Sequence, residues 1–527
     1  MKNLLKRIGI FCLCFTVAFG FSACGGAADY RNDPNVLHIS VWSGGYGTEW
    51  LKAVGRAYEA KHENITVKYE EATLRERAII PLTNPSVYDI VISDSFMTSK
   101  YAKYPQYSGY DKTFHSIKEV FDYTPEGERG PIRSKMSENV LDWCTSDDGE
   151  NYFIPVSSSL WGLTYNVDIL AAEGIAVPRT TDEMKAAFDR FKGKKVKAHI
   201  FSGYTDYWQP IVYTWWAQYD GLKTFNNFFK GQTVDGEYLV DIFGTQGRYE
   251  AVKCADDFLG YGSFSSENAD DGYFSKTATG LEYMPAQLKY LQGEAAFMAN
   301  GGWLENEMRD SFKNATMANI ANMKVPVISS ITDRFASDSD KSDAKLIEII
   351  DYVDGGKVSA KPSGVTDADI AIVEEARSLT YMTGAEMTAV VPVTSTKSDL
   401  AKDFLKFMYS DEGAKIVLMA DAGTQLPVNT DFSSDADING KLTEFGKSRM
   451  RLLSGGTTFF KSFKEPIVYD GGLSAYAIGR TFEKAFASVY VNDRTTAEAY
   501  YRYDIDYYTA NNGTTWTNLL RTVGLVD

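Results

Sequence analysis

Apolar residues recur along this chain in three patterns. An unbroken run fills Ile8 to Phe21, behind Lys2, Lys6 and Arg7. From Val36 the period is two: Leu37, Ile39 and Val41 alternate with His38, Ser40 and Trp42, which predicts a strand. Ser43-Gly44-Gly45-Tyr46-Gly47 then turns the chain, and Thr48 is a residue suited to capping a helix. Beyond it Trp50, Val54 and Tyr58 recur every four positions beside Leu51 and Ala57, which gives one apolar face of a helix ending near Asn64. Ile65 to Tyr69 predicts a second strand. Tyr88 to Ser93 predicts a third, apolar enough for a sheet interior. Strands alternating with helices predict an α/β fold whose ligands bind beyond the carboxyl ends of the strands. The glycine turn at 44 to 47 and Asp94-Ser95 lie at two such ends.

Further on, Phe153 to Tyr165 reads as extended, apolar at its ends around Ser157-Ser158-Ser159. Ala295 to Met298 reads as a strand before the pair Gly301-Gly302. Ser395 to Tyr409 predicts a helix with Ser398 as its cap and Leu400, Phe404, Phe407 and Met408 on one face. Helical spacing recurs at Ala344 to Val353, at Asp367 to Leu379, and at Ile478, Phe482, Ala485 and Phe486.

The opening run is about 14 residues, short of the roughly 20 that cross a bilayer as a helix. With cations before it and Ser22-Ala23 after it, residues 1–23 read as an export signal. Phe21-Ser22-Ala23-Cys24 resembles the lipobox of bacterial lipoproteins. That resemblance implies a mature chain starting at Cys24, with lipid on its thiol, anchored on the extracytoplasmic face of the cell membrane; two or more acyl chains hold stably. A soluble secreted protein is the alternative. Residues 24–35 are small, polar and turn-forming, a tether whose eleven residues after Cys24 reach under roughly 40 Å.

Composition narrows the function. A chain of 527 residues, 44% hydrophobic and 14% aromatic, buries enough for more than one lobe. The formal charge is −16, and loss of the three leader cations leaves 51 basic against 70 acidic residues, −19. Such a surface repels phosphate backbones, so nucleic acid is not an expected partner. Of five cysteines only Cys144 and Cys254 remain beyond the leader and Cys24, and sequence leaves open whether they pair. The four histidines stand far apart, with no metal-ligand spacing, so no metal or cofactor is expected.

The block from Gly149 to Leu170 (GENYFIPVSSSLWGLTYNVDIL), with GEAAFMANGGW at Gly293 to Trp303 and STKSDLAKDFLKFMYSDEGAK at Ser395 to Lys415, is similar to the extracellular solute-binding proteins of ABC importers, in the carbohydrate class that includes maltose-binding protein. The blocks stand in the family's order over nearly the whole mature chain. The resemblance implies two α/β lobes, each a mostly parallel sheet flanked by helices, joined by hinge strands and closing on a ligand. It also implies a monomer that delivers a carbohydrate to the transmembrane subunits of an ABC permease, without catalysis. In these terms 36–155 is the first part of lobe 1, 156–328 is lobe 2, 387–430 returns to lobe 1, and 431–527 is a helical segment spanning the lobes. Residues 329–386 depart from the pattern, as an insertion of two helices.

A sugar needs planar aromatics for its C–H faces and carboxylates or amides for its hydroxyls. The family places an aromatic where Trp303 stands. Trp208, in the loop 203–210, resembles an aromatic cluster on the second lobe, and the family often lines its cleft from the turn that holds Tyr476. Trp161 and Ser158 at the hinge, Trp42 and Tyr46 at the first strand's end, and Asp94 as a hydroxyl acceptor complete the candidates. Asp206 and Glu305 are weaker ones. Trp50, Trp215 and Trp216 are expected in the core. A glycan-degrading enzyme with paired carboxylates is the competing reading; no nucleophile elbow, metal motif or phosphate loop supports it. A receptor that feeds a membrane sensor is a third.

Overall fold

Among the described residues eleven strands form a five-stranded sheet, a four-stranded sheet and a two-stranded pair. They are β1 Val36–Trp42, β2 Thr66–Ala72, β3 Ile90–Ser93, β4 Phe153–Ser157, β5 Trp161–Asn166, β6 Lys197–Ile200, β7 Ala295–Gly301, β8 Ile320–Met323, β9 Leu379–Tyr381, β10 Met387–Val390 and β11 Thr457–Phe459. This computed structural model describes residues 33–527 apart from 73–87, 94–111, 147, 205–206, 260–271, 275, 356–357, 385–386, 421–425, 431, 433, 462–464, 470–495 and 511. Cys24, Asp94 and Tyr476 therefore lie outside the described residues. No helix among those described is long and apolar enough to cross a membrane.

The first sheet runs β2-β1-β3-β10-β4 and the second β6-β7-β5-β8. Parallel pairing joins β1 to β2 across the helix Glu49–Lys61, β1 to β3, and β6 to β7. The remaining neighbours in these two sheets, β10 with β3 and β4, and β5 with β7 and β8, run antiparallel. Both sheets are thus mixed. β4 ends in the first sheet and β5 begins in the second after three intervening residues, so the strand that leaves one lobe enters the other without a helical return.

A hinge joins them. Leu160 bridges Met382, the Thr383 amide donates to Ser159 O at 2.9 Å, and the Ser159 amide donates to Thr383 Oγ1 at 2.9 Å. β9, just before this crossing, pairs with β11, and the Met382 amide reaches Phe459 O. The first lobe is tied to its return segment at Asp89, which accepts from Ser395 Oγ at 2.7 Å and meets Lys397 Nζ at 3.0 Å, both inside the core. A buried pair of this kind fixes the register of two distant segments at a desolvation cost.

The helices of the 329–386 segment, Asp343–Val353 and Asp367–Ser378, pack on the second lobe. Arg179 reaches Asp351 at 2.7 Å, Thr180 reaches Asp343 at 3.0 Å, and Glu375 accepts from the Leu222 amide at 2.9 Å. Near the end of the chain the tyrosine-rich helix Ala497–Thr509 packs on the helix Gln246–Leu259. That contact uses a buried Arg248–Asp504 pair, and Tyr508 stacks on Phe243 in the turn just before the second helix, 4.4 Å between centroids. Cys144 and Cys254 are buried and both are free thiols.

Candidate functional site

Four aromatic rings meet where the lobes face each other. Trp303 stands 5.6 Å from Trp161, 6.1 Å from Tyr207 and 6.2 Å from Tyr46, and Trp161 stands 6.0 Å from Tyr207, all between ring centroids. Trp161 begins β5, Trp303 follows β7, and Tyr207 precedes the helix Gln209–Asp220, all in the second lobe. Tyr46 comes from the glycine turn of the first. Three of the four contacts are near-perpendicular, the favoured edge-to-face arrangement of two π-systems.

The glycines explain how Trp303 is held. A methyl group at Gly301 would stand 2.1 to 2.4 Å from three carbons of the Trp303 ring, and one at Gly302 would stand 2.4 Å from Ser159 Oγ. Only a residue without Cβ lets the ring fold back over its own strand end and lets the hinge serine approach. At Gly45 the neighbour is Glu307, whose carboxylate oxygen would lie 3.3 Å from an added Cβ. Asn306 Nδ2 donates to Gly45 O at 2.8 Å, a direct hydrogen bond between the lobes.

Carboxylates and amides ring the aromatics. Gln287 Nε2 donates to Glu307 Oε2 at 2.9 Å, and Thr443 Oγ1 donates to Glu305 Oε2 at 2.8 Å. Burial pushes the Glu307 carboxyl above the usual range, against the pull of the Gln287 bond. Burial does the same to Glu305, opposed by Thr443 and by the charges of Arg449 and Arg309. Arg449, itself buried, stands beside Gly302. Ser159 Oγ, Trp161 Nε1 and Gln287 Oε1 are buried without a hydrogen-bond partner among the described residues. Flat apolar faces beside acceptors and donors are what a polyhydroxylated ring needs. Among the described residues no three His, Cys, Asp or Glu side chains are placed to hold a metal.

The sequence candidates fall into three groups. Trp303, Trp161 and Tyr46 come together as described, and half-buried Trp42 has its ring against Gly44, in the same turn as Tyr46. Two positions are corrected by one residue. Trp208 turns into the core of the second lobe, against His199, Trp215 and Phe258, and Tyr207 takes the place in the cluster. Ser158 lines a small cavity of about 40 Å³ on the hinge with Met382 and Phe460, whereas Ser159 faces the Trp303 turn. The extended chain explains both serines, since neighbouring side chains point to opposite faces. Asp94 and Tyr476 are in the third group, outside the described residues. Sequence reading did not single out Tyr207, Gln287, Asn306, Glu307 or Arg449, and named Ser159 only within its serine run. Of these, Tyr207 lay inside the loop 203–210 beside Trp208, and Asn306 and Glu307 lay just after the block that ends at Trp303.

The family model for bacterial extracellular solute-binding proteins matches residues 44–415, well over half of the chain, and the chain belongs to that family. No curated protein matches it in sequence. Solved structures match over most of both chains. One, from work on xylan utilisation by the thermophilic bacterium Caldanaerobius polysaccharolyticus, has a TM-score of 0.55 at 15% identity, covering 89% of this chain and 98% of that one. An ABC substrate-binding protein of Listeria monocytogenes in complex with cycloalternan gives 0.54 at 14%, covering 93% and 99%. The bacterial solute receptor AcbH, which prefers β-D-galactopyranose, gives 0.53 at 11%, covering 93% and 98%. At these identities the likeness is one of fold, a two-lobed solute-binding architecture.

Proposed function

We propose that this extracellular solute-binding protein captures a sugar or oligosaccharide between its lobes by hinge closure and hands it to an ABC import permease. In this reading it is held at the membrane by lipid on Cys24 and carries out no catalysis. The observation that carries the proposal is the cluster of Tyr46 with Trp161, Tyr207 and Trp303, rings of both lobes edged by Asn306, Glu307 and Gln287. Closing on a sugar replaces ring-to-ring contacts with ring-to-sugar contacts and offers Ser159 Oγ and Trp161 Nε1 a partner. The lipobox-like Cys24 and the tether after it support the anchored location. The ligands named for solved proteins of the same fold, β-D-galactopyranose and cycloalternan, support the sugar class.

The test is calorimetric titration of the mature chain against monosaccharides and oligosaccharides, with tryptophan emission recorded in parallel. A micromolar constant would correspond to about −8 kcal/mol, within reach of several stacks and paired hydrogen bonds. Saturable heat with at least one carbohydrate and a change in emission is the expected result. Heat with peptides or polyamines and none with any carbohydrate would overturn the sugar assignment. Release of shortened products during incubation with oligosaccharides would replace the receptor with an enzyme.

A further inference from the structure

The second lobe carries another recess, built from different residues from the aromatic cleft. It encloses about 310 Å³, at the low end of small-molecule sites. Four cations line it, Arg179, Lys324, Arg377 and Arg451, with the amide of Asn322 and the hydroxyl of Ser448, and no carboxylate is in the lining. In a chain of formal charge −16 such a lining runs against the composition.

Carboxylates outside the lining hold the cations in place. Arg179 is clamped by Glu183 at 2.6 Å and by Asp351 at 2.7 Å, and Arg451 by Glu444. Asp354 serves two cations at once: it takes Arg377 Nη2 at 2.9 Å and Nε at 3.2 Å, and stands 3.5 Å from Lys324 Nζ. One carboxylate between two cations leaves a net positive charge there. Two donors remain underused. Lys324, with three N–H groups, has that one long contact, and Arg377 Nη1 is buried with no hydrogen-bond partner among the described residues. Burial, then the neighbouring Arg377 charge, pushes the Lys324 ammonium below its ordinary value, against the attraction of Asp354. The shift is first the cost of burying the ammonium, to which the nearby Arg377 charge adds.

We propose that this recess binds a small oxyanion, the phosphate or carboxylate group of a small molecule, through Lys324, Arg377 and Arg451. Arginine forks and a lysine point charge suit planar and tetrahedral oxyanions. Arg377 ends the second helix of the 329–386 segment, Lys324 follows β8, and Arg451 lies on the helix Glu444–Ser454. A bound anion would therefore cross-link three stretches that are distant in sequence, and the 329–386 segment completes the site.

The experiment is thermal unfolding and calorimetric titration of the full mature chain with inorganic phosphate and with citrate, against sodium chloride at equal ionic strength. The expected result is saturable binding of at least one oxyanion with a rise in the unfolding midpoint that chloride does not reproduce. Affinity should fall about tenfold in Lys324→Gln and about threefold in Arg451→Gln. The Arg451 side chain is 61% exposed, so its variant reads the site even if removal of Lys324 disturbs folding. Preference for phosphate or for citrate tells which group is recognised. Chloride matching both anions, or binding unchanged in both variants, overturns the proposal.

Discussion

Two largely buried aromatic clusters lie in or against the second lobe, one of phenylalanines and a tryptophan around a histidine, the other of tryptophans and tyrosines. In one, His199 is surrounded by Phe188, Phe201, Trp208 and Phe274 with centroids 5.0 to 5.6 Å away. In the other, Trp303 gathers Trp161, Tyr207 and Tyr46 at 5.6 to 6.2 Å. Burial alone does not separate their central tryptophans clearly, at 2% exposure for Trp208 and 7% for Trp303, although Trp161 is partly exposed. Ownership does. Every ring of the first cluster belongs to the second lobe, whereas Tyr46 of the second comes from the other lobe and is accompanied by a hydrogen bond between lobes, Asn306 to Gly45. In the proposed closure, contacts inside one lobe would persist and contacts across lobes would be made or broken. An aromatic platform is thus marked by the segments it bridges more than by its exposure.

Crossed substitutions give the largest separation. Trp208→Ala should cost roughly 3 to 5 kcal/mol of stability, the range for deleting a large buried ring. It should leave carbohydrate affinity nearly intact wherever the variant is folded. Trp303→Ala should do the reverse, lowering affinity by about 2 kcal/mol or more, roughly thirtyfold, as a central anchor does, with a smaller loss of stability. Chemical denaturation and titration of both variants read the two effects. Equal losses of stability and unequal losses of affinity in the opposite sense would collapse the distinction.

Acid should separate the clusters by sign. Burial pulls the pKa of His199 down to about 3, only partly offset by its contact with Phe258 O. Unfolded histidine takes up its proton near pH 6.5 and the folded one only near 3, so stability falls as pH drops between those values. At pH 4.5 the difference is on the order of 3 kcal/mol. His199→Phe, among rings already stacked around it, should flatten that part of the stability profile. The cleft carboxylates behave oppositely. Glu305 and Glu307 are raised by burial, so protonation favours the folded state, and that contribution fades as pH rises through their folded values. Unfolding midpoints from pH 7 to 4 for the parent, His199→Phe and Glu307→Gln test both signs.

The glycine pair shows what sequence could tell. Its position after a strand and before Trp303 was legible, and so were the first strand and its helix, observed at Val36–Trp42 and Glu49–Lys61. The two helices of the 329–386 segment were also read within a residue of their observed ends, Asp343–Val353 and Asp367–Ser378. Local periodicity carries such information because one face of each element must be buried. Cap chemistry was less legible. Thr48 donates to Glu71 Oε2 at 2.8 Å and makes no side-chain cap bond, and Ser398 is the first helical residue, after Lys397 at the cap. Facing was illegible wherever parity is set by a distant partner, as at Ser158 versus Ser159 and Tyr207 versus Trp208. Gln287 and Arg449 reach the cleft from helices that no local signal linked to it. Gly301→Ala turns this into a measurement. Its methyl group cannot share space with the Trp303 ring, so the ring must leave its platform and affinity should fall about tenfold, read by titration and by a shift in tryptophan emission.

The smallest expected effect bears most directly on ownership. The Asn306 bond to Gly45 O is short and joins the lobes, yet it replaces hydrogen bonds that both groups make to water when the lobes part. Its net value is therefore about 1 kcal/mol, so Asn306→Ala should weaken carbohydrate binding roughly fivefold. Because the lost contact exists only in the closed arrangement, the loss should appear as faster ligand release, with association and thermal stability close to the parent's. Stopped-flow release measures it. A variant that binds more slowly, or unfolds earlier, would place Asn306 in the architecture of its own lobe, and Tyr46 against Trp303 would then be the contact that ties closure to binding.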